Sequence, residues 1–138
     1  MDIDFVERRR HIRVYFDTLE ETNCQFSPAE QATATEPLVA SVLDLSLGGL
    51  HLTFMGDYGF DVGDQLILNS LTHRTGPVCD EQIPLEIRWI YANKTELRRF
   101  YMGCLILHLP EKSRSRIANL ISVKLLESST SRIGIFNR

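Results

Sequence analysis

The chain has 138 residues, of which 43% are hydrophobic and 24% charged, and a formal net charge of −3. That is one ordinary domain with apolar surface enough for a single core, outside the disordered and membrane-spanning classes. Cys24, Cys79 and Cys104, and His11, His51, His73 and His108, fall at no redox or metal-ligand spacing, and the start MDIDFVERRR lacks the order of a signal peptide. A cytoplasmic protein with reduced thiols, no membrane span and no metal is expected.

Positive charge is concentrated at the beginning. Arg8, Arg9, Arg10 and Arg13 lie within six positions, and without them the remaining charge balance is −7. A protein that tracks long nucleic acid spreads its cations over a broad face, whereas one island suits a small anionic ligand. The cluster is wholly arginine, and the guanidinium fork suits bidentate contact with phosphate and with the O6/N7 edge of guanine. Such an arm, with little countercharge of its own, is expected to gain a stable position only when a ligand supplies it.

After the arm, IRVYF alternates Ile12, Val14 and Phe16 against Arg13, Tyr15 and Asp17, the period of a half-buried strand. Residues 27–37 read as a loop. A strand over 38–44, a Ser-Leu-Gly-Gly turn and a strand over 50–54 follow, then strands in DVGDQLILNSL, QIPLEIRWIYAN and RRFYMGCLILHL, the last two joined by the polar NKTEL turn. Six short strands without intervening helices predict a small, mainly β, six-stranded antiparallel barrel. The period then shifts to 3.6: Ile117, Leu120, Ile121 and Leu125 form an apolar stripe behind Pro110, which predicts a C-terminal α-helix. Residues 127–138 show no clear period. The expected division is an arm over 1–13, a barrel with its helix over 7–126, and a tail over 127–138.

Within DLSLGG, Asp44 and Ser46 are two apart and share a face if the segment is extended, while Gly48 and Gly49 permit a sharp turn or a close approach. The same six residues also suit a hairpin turn whose polar side chains hold backbone groups. Trp89 is in phase with Ile83, Leu85 and Ile87, which by alternation places it in the core.

RRHIR fits an R-x-x-x-R pattern ending on Arg9 and Arg13, and DLSLGG fits [D/N]-x-S-x-x-G with Asp44, Ser46 and Gly49. In order, spacing and surrounding strands the chain resembles the PilZ domain, a bacterial receptor module for cyclic di-GMP, over about residues 7 to 126. The resemblance implies that Arg9 and Arg13 grip phosphate and guanine, that Arg8 and Arg10 assist, and that Asp44, Ser46 and Gly49 supply contacts on the barrel surface. It also implies a second role for Trp89, stacking on a guanine. Some members of the family lack these motifs and act as nucleotide-independent adaptors in pilus assembly; here both motifs are intact. The implied partners are cyclic di-GMP and an unidentified effector protein.

No P-loop, G-x-S-x-G, H-E-x-x-H or paired-carboxylate arrangement is present, so binding without turnover is expected rather than an enzyme. A nucleotide-independent adaptor of pilus or flagellar machinery and a small nucleic-acid-binding barrel are the alternatives.

Overall fold

The computed structural model describes residues 11–31, 36–56, 58–93 and 98–136, apart from the side chains of residue 31 and of residues 129–136. Eight strands precede one long helix: β1 Val14–Tyr15, β2 Thr22–Pro28, β3 Leu38–Leu45, β4 Gly49–Met55, β5 Gln65–His73, β6 Gly76–Cys79, β7 Ile83–Asn93, β8 Arg99–Ile106 and α1 Glu111–Phe136. The antiparallel order β3-β2-β5-β7-β8-β4 closes on itself through β3–β4 pairing, so six strands form a barrel. Closure removes the free edges that an open sheet would expose.

The number of barrel strands agrees with the sequence reading, but the membership differs. IRVYF contributes only the two-residue β1, which pairs with the end of β3, and Ile12 is 62% exposed. The missing barrel strand is β2, TNCQFSP, whose polar composition hides the alternation of buried Cys24 and Phe26. It extends through Pro28 into the stretch expected to be a loop, and a short 3-10 turn over Ala29–Gln31 follows it. The barrel is filled by fully buried side chains from every ring strand, among them Phe26, Val42, Leu52, Leu68, Leu85 and Met102. Phe54 joins Phe26, Phe60 and Phe100 in an aromatic cluster with centroid separations of 5.5, 5.9 and 5.4 Å. Offset and edge-on ring pairs of this kind add to plain area burial.

The backbone N–H of Arg114 donates to the Pro110 carbonyl at 2.8 Å, so α1 starts where the proline allows, with Glu111 in its first turn complementing the helix dipole. Ile117, Leu120 and Ile121 are buried as expected, but Leu125 is not; the next buried position is Lys124, only 4% exposed. The helix also runs on to Phe136, through a segment in which no period was evident.

Lys124 is tolerated because it is fully paired. Its ammonium donates to Glu21 at 2.7 Å and to Asp17 at 3.0 Å. Glu21 in turn accepts from the Asp17 backbone N–H at 2.6 Å and from Arg74 at 2.8 Å, and Arg74 forks onto Glu127 of α1 at 2.5 and 3.0 Å. This network ties the helix to the segment after β1 and to the β5–β6 turn, where Arg74 and Thr75 both adopt positive φ. Two such residues in a row are what a tight hairpin turn requires, and Arg74 is held in that conformation from both sides.

Burial alone would raise the pKa of Glu21, but Lys124, the Asp17 N–H and Arg74 override it and hold the carboxyl at about 2, against an ordinary value of 4.5. A carboxyl depressed by folding adds stability above its unfolded pKa and loses it as pH falls toward the folded one. Glu21→Gln is therefore expected to cost about 3 kcal/mol at neutral pH. Between about pH 5 and pH 2 the variant should lose less additional stability than the parent, because the carboxyl that titrates there is gone. Urea unfolding at neutral and acid pH measures both quantities.

Candidate functional site

Four outward-facing positions lie in one straight row across the barrel. Asp44 of β3 is paired with His51 of β4, His51 with Gly103 of β8, and Gly103 with Trp89 of β7. Three strand spacings make the row about 14 Å long.

Two of these residues belong, by simple alternation, to the other face. On β3, Ala40 and Val42 point into the core, so Asp44 two residues later should follow them; on β7 the same holds for Trp89 behind Ile83, Leu85 and Ile87. In both strands the ladder slips, between Val42 and Asp44 against β4 and between Ile87 and Trp89 against β8. One extra residue in each strand, Leu43 or Arg88, turns the following side chain outward. Leu45 and Ile90 then resume contact with the core. Trp89 is accordingly 43% exposed, which corrects its expected core position.

Each end of the row is held differently. The Asp44 carboxylate is 5% exposed because two groups cover it: the Arg13 guanidinium at 2.5 Å and the His51 ring at 3.2 Å. A carboxylate only accepts, so the His51 nitrogen facing it, Nδ1, carries the hydrogen. His51 Nε2 is buried and has no partner among the described residues. At the other end the Trp89 indole lies across Gly103, where a Cβ would collide with it, and meets His51 edge-on at 4.7 Å between centroids. Tyr101 and Tyr91 extend the aromatic surface, with Tyr101 6.3 Å from His51 and 6.2 Å from Tyr91.

Ser46 and Gly49 play local parts. Ser46 is buried; its hydroxyl accepts from the N–H groups of Gly48 and Gly49, both at 3.2 Å, and its own N–H donates to the Gly49 carbonyl at 2.9 Å. This is the turn-holding reading of DLSLGG, not a shared face with Asp44. Gly49 pairs with Leu105, and a Cβ there would sit 2.5 Å from the Cys104 carbonyl oxygen, so its lack of a side chain lets β4 and β8 close together. The His11 ring packs over Gly48.

Arg13, Gly48, His51, Arg88, Trp89 and Cys104 are among the residues lining a groove of about 540 Å³ above the row. A second groove, of about 440 Å³, lies on the other side of Arg13 and is bordered by His11, Ser46, His108 and Arg114. Arg13 thus stands between two concavities. Burial pushes the Cys104 thiol up to about 12, which leaves it protonated and a poor nucleophile. Among the described residues no group of three or more His, Cys, Asp or Glu side chains could hold a metal ion, and no helix is long and apolar enough to cross a membrane.

Of the residues singled out from the sequence, the structure brings Arg13, Asp44, Gly49 and Trp89 to this one surface, with the buried Ser46 holding the turn beside it; Arg8, Arg9 and Arg10 lie outside the described residues. The expectation that the arm awaits its countercharge does not hold for Arg13, which Asp44 already neutralises. Sequence reading passed over His51 and Arg88. His51 could have been found as the cross-strand neighbour of Asp44 in a tight hairpin, and Arg88 from the broken phase of LEIRWI, where Ile90 is out of step with Ile87.

The chain belongs to the PilZ domain family, whose sequence profile matches residues 7–122. Its fold is that of solved PilZ structures. The PilZ domain of YcgR from Escherichia coli with c-di-GMP superposes with a TM-score of 0.62 at 15% identity, covering 91% of this chain and 97% of that one. The K. pneumonia MrkH complex with c-di-GMP gives 0.62 at 17% identity, with 88% of this chain and 53% of that one covered. The Bacillus subtilis inhibitor of motility MotI gives 0.59 at 16%, with coverages of 87% and 52%. The chain therefore spans nearly all of the isolated YcgR domain and about half of MrkH and MotI. A search of curated proteins finds no match to the sequence.

If Gly49 serves strand approach, Gly49→Ala should cost about 1 to 3 kcal/mol, because a backbone oxygen cannot move aside. Gly48→Ala, whose new methyl would first meet the His11 side chain, free to move aside where a backbone oxygen is not, should stay within about 0.5 kcal/mol of the parent. Denaturant midpoints of the two variants separate the roles.

Proposed function

We propose that this chain is a cyclic di-GMP receptor that binds the dinucleotide along the Asp44-to-Trp89 row and signals through a separate effector protein. The observation that carries the reading is the meeting of the two motifs. Arg13, the last residue of R-x-x-x-R, contacts Asp44, the first of D-x-S-x-x-G, across 31 positions of sequence, beside a groove walled by an exposed indole. Relatives of the same fold are complexes with this ligand.

The chemistry is complementary at both ends. Guanine offers N–H donors at N1 and N2 to a carboxylate and O6/N7 acceptors to a guanidinium, and its face can stack on indole. Asp44 retains accepting capacity after Arg13 and His51 are satisfied, since an ionised carboxylate has about four lone-pair sites. In this reading Arg13 turns from Asp44 to a phosphate, and Arg8, Arg9 and Arg10 of the 1–13 arm supply further positive charge for the ligand. The 7–126 unit supplies the surface, and the reading is one of binding without turnover. The unpaired buried thiols suit the reducing interior of a cell.

Calorimetric titration of the chain with cyclic di-GMP tests the proposal and gives the number of nucleotides bound; absence of heat with folded protein would overturn it. Arg9→Ala and Arg13→Ala should each weaken binding tenfold to a hundredfold, the effect of losing a charged hydrogen bond worth about 1.5 to 3 kcal/mol. Arg13→Ala should also cost stability, about 1 to 3 kcal/mol, because it uncovers the Asp44 charge. Asp44→Ala should narrow the preference for cyclic di-GMP over cyclic di-AMP, as adenine lacks the donors that the carboxylate accepts.

A further inference from the structure

Arg88 and Trp89 are consecutive residues of one strand, yet both are exposed, where a regular strand would send one of them inward. Arg88 is the residue by which β7 outruns β8 at the slip: Ile87 pairs with Cys104 and Trp89 with Gly103, leaving Arg88 without an opposite number. A bulge of this sort re-aims side chains. Here it sets a guanidinium beside an indole at the lip of the same groove that Arg13 lines.

The charges of that groove are unequal in availability. Among the described residues its charged lining consists of Arg13 and Arg88. Arg13 is engaged with a nearly buried carboxylate, so an anion recruits it only in competition with Asp44. Arg88 is 61% exposed along its side chain, and its single ionic contact among the described residues is with Glu86, two positions away on the same strand, at 3.4 Å. That contact is long, solvent-exposed and weak. Among the described residues of the groove, the cation most readily available to a ligand therefore lies at the Trp89 end of the row, three strands from Asp44.

We propose that Arg88 is a ligand-binding residue of this groove: it grips an anionic oxygen, or the O6/N7 edge, of a nucleotide whose base stacks on Trp89, while Arg13 and Asp44 hold the distal part. The inference rests on the cyclic di-GMP reading and extends it, assigning the second half of a two-base, two-phosphate ligand to the displaced pair on β7. The guanidinium gives two parallel donors to phosphate or guanine, and the adjacent ring fixes the plane of the base.

The test is calorimetric titration of parent, Arg88→Ala, Arg88→Lys and Arg13→Ala proteins with cyclic di-GMP, with Trp89 emission followed in parallel. Arg88→Ala is expected to unfold at the parent's temperature, since the side chain is exposed, and to bind at least tenfold more weakly with a shallower dependence on salt. Arg88→Lys should recover part of the loss. Binding by Arg88→Ala within twofold of the parent, with Arg13→Ala impaired, would overturn the role of Arg88 and leave the receptor reading intact. A folded parent that gives neither heat nor a change in emission would overturn both.

Discussion

Two one-residue slips in the barrel ladder determine what this surface can do. Without the slip in β3, Asp44 would direct a carboxylate among Val42, Leu52 and their neighbours, a burial that costs far more than a short strand could offset. Without the slip in β7, the only tryptophan would enlarge the core and leave the outer face without its indole. With both, an acid and an aromatic ring appear at opposite ends of a single cross-strand row, and two small or planar residues, Gly103 and His51, fill the space between. The bulges cost the ladder some regularity, yet they convert a plain barrel wall into a recognition surface.

That dependence explains what could be read from the chain and what could not. The motifs, the barrel with its closing helix and the hairpin around Ser46 were legible because short-range spacing specifies them. The phase of Asp44 and Trp89 was not, since a period of two is blind to an inserted residue until the apolar residues beyond it are examined. Leu45 and Ile90 carry that information. β2 is hidden for a different reason: polar Thr22 stands in phase with Cys24 and Phe26, and Ser27 is buried out of phase with them, so neither its composition nor its period reads as a hydrophobic face. Lys124 occupies the position that helical spacing assigns to the core, seven residues after Ile117, but lysine is so seldom buried that Leu125 was the natural choice. Only the tertiary placement of Glu21 and Asp17 makes the lysine acceptable.

The two ionic clusters differ in character. Around Lys124 the charges are mutually satisfied, linking the helix, the segment after β1 and the β5–β6 turn into one unit. Around Asp44 the pairing is partial: Arg13 remains about half exposed, and His51 keeps one nitrogen without a partner among the described residues. Both clusters draw on the same short stretch, residues 13 to 21, whose first member faces the groove and whose last members grip the helix. The stretch is anchored at each end by charge, and by only two residues of strand between them.

The strand order also dictates how the chain must assemble. β2 lies between β3 and β5, so the first barrel strand to be made is enclosed only after a partner some forty residues later has arrived. β4, adjacent to β3 from the outset, keeps its other edge open until β8 reaches it near the end of the barrel sequence. Pairings of such long separation close slowly and leave unpaired edges exposed in the interim. On a ribosome, where the amino terminus leads, the Asp44–His51 hairpin would emerge early while Gly103 and Trp89 were still to come. The recognition row is thus completed only when the barrel itself is, and a chain interrupted before β8 would carry both motifs and no site.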